Sequence, residues 1–188
     1  MKNMSIRKIA FAAIIGAAYA ALTLALAPIS FGSSGAWQFR VSEALCILPF
    51  FFPFSAWGLF VGCIISNLIS FYGVPDIIFG SLATLAAGFL TAYIGKRSRG
   101  GISSKILACL PPVVMNAVVV GAVIAYETVH APGSTAPFWP TYELFGAQVG
   151  VGEIGALYIL GLPLLILLPK TRVIKYLTSI YEQNNRLK

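Results

Sequence analysis

The sequence predicts an all-α membrane protein, a six-transmembrane-helix bundle forming a single integral membrane domain over residues 1–188. Three observations lead there. The chain is 58% hydrophobic and only 10% charged, whereas a soluble domain carries about a quarter charged residues. Apolar runs of membrane-crossing length recur along it. Its basic residues flank those runs in blocks, the pattern of membrane topology rather than of a nucleic-acid-binding face, despite the net charge of +7.

The first predicted span is 8–27. It follows Lys2, Arg7 and Lys8 and ends near an Ala25-Leu26-Ala27 triplet that imitates a signal-peptide cleavage site. Its apolar stretch is longer than the ~7–15 residues of a signal h-region, which favours a retained helix. Ala13, Ala17, Ala21 and Ala25 recur every four residues, with Ala12, Gly16 and Ala20 on the adjoining row. Small residues at this spacing let a second helix approach closely, either inside the bundle or on a partner.

Residues 28–39 read as a loop from their Pro, Gly and Ser content. The spans that follow are 41–53, short and interrupted by Pro49 and Pro53, then 54–71 and 77–95. The third has Gly58, Gly62, Ser66 and Ser70 along one side; the fourth has Gly80, Thr84, Gly88 and Ala92. A basic Gly/Ser linker leads to a fifth span, 106–126, broken early by Pro111-Pro112. Residues 127–146, rich in Pro and aromatics, read as the longest loop, and 148–168 is the last span.

Charge sets the expected orientation. Twelve of the thirteen Lys/Arg residues lie at the N-terminus, between spans four and five, or in the tail, so these regions are expected in the cytoplasm. An even number of crossings must then separate them, and four plus two satisfies this. Both termini are expected inside, in the cytoplasmic membrane of a prokaryote. Five of the six acidic residues then fall in the outer half.

The candidate site follows from that placement. Arg40 and Glu43 stand three residues apart at the mouth of span two, close to Trp37 and Phe39. Asn67 lies late in span three, before Tyr72; Asn116 falls near the middle of span five; Gln148 and Glu153 enter span six. An ionisable side chain in a span costs about 2.5 kcal/mol or more at the centre and is a functional candidate by default. The bland alternatives are a surface i, i+3 pair for Arg40 and Glu43, interhelical glue for the asparagines and a structural ion pair for Glu153. Asp76, Glu127 and Glu143 read as solvated loop charges. Carboxylates and amides suit the N–H donors of a fused heterocycle, with Trp37, Phe39, Tyr72, Phe138, Trp139 and Tyr142 as stacking faces. No basic set for a phosphate is present, so a neutral or cationic heterocycle is favoured over a nucleotide.

No catalytic, metal or cofactor site is expected. Cys46, Cys63 and Cys109 lie singly in apolar runs and read as small buried hydrophobes, and His130 is the only histidine. Gly150-Val151-Gly152-Glu153-Ile154-Gly155 has the letters GxGxxG, but no βαβ unit surrounds it. Those glycines more plausibly make room for a neighbouring backbone or a ligand. Walker A, HExxH and GxSxG are absent, so ATP hydrolysis and common hydrolase chemistry have no visible machinery.

Taken together, the six-helix size, the helix-one alanine stripe, Phe39-Arg40-Val41-Ser42-Glu43-Ala44-Leu45, Ser66-Asn67 and Gly152-Glu153 resemble the S components of energy-coupling factor (ECF) transporters, in particular the queuosine-precursor branch. That resemblance covers nearly the whole chain; the FRVSEAL run is its most distinctive part. It implies a non-enzymatic subunit that captures substrate outside and joins a transmembrane coupling (T) subunit and two cytoplasmic ATPases, meeting the T subunit through Ala13 and Ala17, with Ala21 on the same stripe. The implied cargo is a 7-deazaguanine such as preQ0, preQ1 or queuine. Glu153 or Glu43 would accept from its guanine-like edge, and Asn116, Asn67 or Gln148 would complete the pairing. The alternatives are an S component for another heterocyclic vitamin and a stand-alone secondary transporter. Six spans without a visible inverted repeat weigh against the second.

Overall fold

The computed structural model describes residues 6–32, 38–98 and 100–171. Those residues are all helical or loop, with no strand among them. Four helices are long and apolar enough to cross a membrane: α1 (Ile6–Ala25), α4 (Gly73–Arg97), α5 (Ile102–Val129) and α6 (Phe138–Lys170). Two shorter apolar helices, α2 (Val41–Phe50) and α3 (Ser55–Asn67), lie between α1 and α4. The chain is thus an all-α, multi-pass membrane protein.

The short helix α2 is the centre of the bundle. It packs against α1, α3, α4 and α6, and eight of its ten residues are buried, Glu43 among them. Such enclosure explains why a segment interrupted by Pro49 is nonetheless apolar apart from Ser42 and Glu43. α2 is a 3₁₀ helix, rising about 2.0 Å per residue against 1.5 Å for an α-helix, so ten residues reach about 20 Å. The second predicted span was 41–53; the chain instead leaves α2 after Phe50 and turns through Phe51–Phe54 into α3.

Small residues set the close packing. A Cβ on Gly58 would stand 2.0 Å from the Ala12 carbonyl oxygen, and one on Gly62 would stand 2.4 Å from that of Gly16. α1 and α3 therefore meet backbone to backbone, as small-residue interfaces permit where no hydrophobic effect drives helices together. On α4, Gly88 abuts Ala56 of α3 and Gly95 abuts the Phe50 backbone at the end of α2.

Helix ends depart most from expectation at α6. It starts at Phe138, ten residues before the predicted 148, so the connection is 130–137 rather than 127–146. Aromatics and Pro140 read as loop, but a proline within the first turn costs a helix no hydrogen bond it would otherwise make. α4 likewise begins at Gly73, placing Pro75 in its first turn. In α5 the irregularity near the double proline is confined to a turn at Cys109. Three stretches widen to π geometry: Asp76–Gly80 in α4, Asn116–Val120 in α5 and Gly155–Gly161 in α6. π segments inside α-helices often mark functional sites. Here two of them open on a buried polar residue, Asp76 and Asn116, and the third follows Glu153 by two positions.

Candidate functional site

The extended residues 38–40 lead into α2 and are held from both sides. The Phe39 amide donates to the Ile29 carbonyl at 3.0 Å, tying them to the short helical turn Ala27–Ser30. On the other side, a Cβ on Gly152 would fall 2.0 Å from the Gln38 carbonyl oxygen, and one on Gly155 would fall 2.9 Å from the Phe39 ring. The glycines of the GxGxxG-like run thus let the chain ahead of α2 lie directly on α6, beside Glu153.

Arg40 and Glu43 do not form the surface pair that an i, i+3 spacing allows. Both are buried, and each is engaged elsewhere. Arg40, 6% exposed, places Nη2 3.5 Å from Asp76 Oδ2 and its guanidinium 4.9 Å from the centre of the Phe31 ring. Glu43, 1% exposed, accepts from the Tyr19 hydroxyl of α1 and from Cys46 Sγ at 3.0 Å. Beside it, the hydroxyls of Thr23 and Ser42 lie 2.6 Å apart, a second polar link between α1 and α2.

Asp76 is the main correction to the sequence reading. It is not a solvated loop charge: it is fully buried, and Ser70 donates to its Oδ2 at 2.6 Å. Asn67 donates through Nδ2 to the Asp76 carbonyl at 3.1 Å, and its Oδ1 is buried without a donor. The other two acids expected in loops lie in helices instead, Glu127 half-buried in the last turns of α5 and Glu143 exposed in the second turn of α6. Tyr72 is half-buried, with its phenol in hydrogen-bonding contact with the Gln38 side chain. Burial pushes that phenol above its ordinary pKa, while the Gln38 contact works in the opposite direction.

A further buried pair joins the two longest helices. Asn116 Nδ2 donates to Glu153 Oε1 at 2.8 Å; the side chains are 3% and 6% exposed. Glu153 Oε2 has no hydrogen-bond partner, nor does Gln148 Oε1 earlier on α6. Glu153 lies within range of the charges of Glu43 and Arg40, and Arg40 within range of Asp76 and Glu43. Arg40, Glu43, Asp76 and Glu153 therefore make one electrostatic neighbourhood in the apolar bundle.

Most sequence candidates are brought together here: Arg40, Glu43, Asn67, Asn116, Glu153, Phe39 and Tyr72, with Gln148 five residues before Glu153 on α6. Trp37 lies outside the described residues. At the start of α6 the Phe138 and Tyr142 rings are stacked and Trp139, 69% exposed, meets both edge-on, so the three form an aromatic cluster of their own. Tyr19, Gln38 and Asp76 were missed. Tyr19 left a faint signal, since it is the lone phenol amid the small residues of α1 and falls on the row of Ala12 and Gly16. The three cysteines are buried and free, as expected, though Cys46 also donates to the carboxylate of Glu43.

A model of the QueT transporter family matches residues 9–170, most of the chain and every element of the site. The chain belongs to the QueT transporter family. A curated relative, the queuosine precursor transporter QueT of Lactococcus lactis subsp. cremoris (strain MG1363), is 41% identical over 87 residues, which are 45% of this chain and 49% of the relative. The chain therefore aligns with about half the length of that QueT protein. No solved structure matches.

Proposed function

We propose that this chain is the substrate-capturing S component of an ECF-type importer, and that its cargo is a queuosine precursor of the 7-deazaguanine class. The observation that carries the reading is the buried polar set at Arg40, Asn67, Asp76, Asn116, Gln148 and Glu153, several of whose acceptor atoms have no donor. Buried polar atoms without partners are costly, and they are retained where a ligand supplies the missing bond. Fused-ring N–H and NH₂ groups are such donors. The queuosine precursor named for the lactococcal relative supports the same class.

In this reading all six helices cross the cytoplasmic membrane of a prokaryote, both termini face the cytoplasm, and Glu43 and Glu153 lie beneath the outer surface. ATP hydrolysis belongs to two partner subunits, and a T subunit couples them to the S component. The two rows of α1 divide accordingly. Ala12, Gly16 and Ala20 are buried, while Ala13, Ala17 and Ala21 are exposed and available to the T subunit. Ala13 and Ala17 line a wholly apolar groove of about 400 Å³ with Trp57, Val61 and Ile65 of α3.

Calorimetric titration of the purified chain against preQ0, preQ1, queuine, guanine and a panel of heterocyclic vitamins tests the cargo. Tight binding of a 7-deazaguanine is expected; selective binding of an unrelated vitamin would overturn the assignment. Uptake in cells lacking the ATPase subunits tests the architecture, since sustained uptake there identifies a stand-alone transporter instead.

A further inference from the structure

Three buried carboxylates share this site with a single guanidinium. Asp76 is matched by Arg40, the one ion pair to a carboxylate of this site among the described residues, and the remaining basic residues of the sequence lie in the terminal and linker blocks. Glu43 has both oxygens engaged by neutral donors, Tyr19 and Cys46. Glu153 has only one oxygen engaged, by the neutral amide of Asn116, and its Oε2 is buried with no partner. Nearby on α6, Gln148 Oε1 adds a second unpaired acceptor. On α6 itself the unpartnered buried atoms are acceptors, while the unpartnered donors belong to Gln38 and Arg40 ahead of α2, and the formal charge imbalance in the site is negative. A buried carboxylate held only by neutral donors is costly, and a matching cation offsets that cost.

We infer that the cargo is a cation, and that Glu153 is the counter-ion of a protonated amine borne on the heterocycle. This inference rests on the proposed 7-deazaguanine class and selects among its members. A 7-aminomethyl group, protonated at neutral pH, fits; a 7-cyano group or an unsubstituted ring does not. Glu153 Oε2 takes one of the ammonium hydrogens. Asn116 holds the carboxylate by its other oxygen, fixing the direction in which Oε2 points.

The test compares two cargo molecules of nearly equal shape, 7-aminomethyl- and 7-hydroxymethyl-7-deazaguanine, by titration of the wild-type chain and of Glu153→Gln. Wild type should prefer the amine by about tenfold or more, the difference expected between an ammonium–carboxylate ion pair and a neutral hydroxyl donating to the same carboxylate in a desolvated site. Glu153→Gln should weaken both compounds, the amine by about tenfold more than the alcohol, and so collapse the preference. Equal wild-type affinity for amine and alcohol would overturn the inference while leaving the cargo class standing. Preference retained in Glu153→Gln would remove Glu153 as the counter-ion. Failure of wild type to bind either compound would overturn the cargo class itself and this inference with it. The wild-type comparison does not depend on how well the variant folds.

Discussion

The hydroxyl of Tyr19, on the inner row of α1, donates to the carboxylate of Glu43 on the central helix α2. The bond crosses between two helices that are 24 residues apart in the chain at these positions. It connects the helix proposed to meet a partner with the electrostatic neighbourhood of the site. Neither residue has water to turn to, Tyr19 being fully buried and Glu43 nearly so.

Tyr19→Phe should therefore destabilise the chain. Removing the hydroxyl leaves one carboxylate oxygen of Glu43 without its donor, and a buried group left short of a partner costs about 1–3 kcal/mol, more when it is charged. Thermal unfolding in detergent should show a lowered midpoint. Adding Glu43→Gln should recover part of the loss, because a neutral amide is less costly to leave under-satisfied than a carboxylate. A single variant as stable as wild type would mean that Cys46 alone suffices for Glu43.

Breaking the Arg40–Asp76 pair should cost more. Asp76→Asn leaves a buried guanidinium without its counter-charge, a change on the order of 3–5 kcal/mol when the partner is fully desolvated. Replacing both, with Arg40→Met and Asp76→Leu, should cost clearly less than the sum of the single changes, because the pair is removed as a unit. Chemical unfolding of the three variants measures the coupling. Additive losses would show that each residue is held by other contacts.

The glycines of α6 should separate by what lies against them. At Gly152 an added Cβ meets the Gln38 carbonyl at 2.0 Å, and backbone cannot swing aside as a side-chain tip can. At Gly150 the nearest atom is the Ala117 Cβ at 3.4 Å, an ordinary contact. Gly152→Ala is thus expected to displace residues 38–40 and weaken cargo binding by about tenfold or more, about 1.4 kcal/mol. Gly150→Ala should bind as wild type. Titration of both variants with the best ligand decides it, and equal affinities would mean that the position of residues 38–40 does not matter to binding.

What the sequence made legible was what composition and periodicity encode. Long apolar runs gave the four long helices, small residues at i, i+4 marked α1 and α3 as helices able to pack closely without naming the partner of either, and polar residues within spans gave Asn116 and Glu153 as candidates. What stayed hidden depended on chain reversals that no local pattern records. Asp76 follows Tyr72-Gly73-Val74-Pro75, which reads as a turn, and its burial comes only from the way Asn67, Ser70 and Arg40 close over it. Arg40 and Glu43 sit close in sequence, yet α2 directs one toward α4 and the other toward α1. The π segments at Asp76, Asn116 and Gly155 likewise arise from packing, since no sequence rule applied here distinguishes them from α-helix.

The two rows of α1 offer the sharpest separation of stability from transport. On the buried row the contact is backbone to backbone, so Gly58→Leu on α3 must force α1 away, since even its Cβ would lie 2.0 Å from the Ala12 carbonyl oxygen. Overpacking of this kind costs about 1–3 kcal/mol, occasionally more, and should lower thermal stability with or without cargo. On the exposed row, Ala13→Leu or Ala17→Leu adds a side chain to the open apolar groove beside Trp57, Val61 and Ile65, which has room for it when the chain is alone. Those variants should fold and bind cargo as wild type does. Uptake in whole cells is nevertheless expected to be lost, because leucine there fills the groove into which a T subunit would pack closely. Copurification of the ATPase subunits with each variant identifies the cause: loss of the complex with cargo affinity intact assigns the exposed row to the partner, and normal uptake by Ala13→Leu and Ala17→Leu would move the docking surface elsewhere on the bundle.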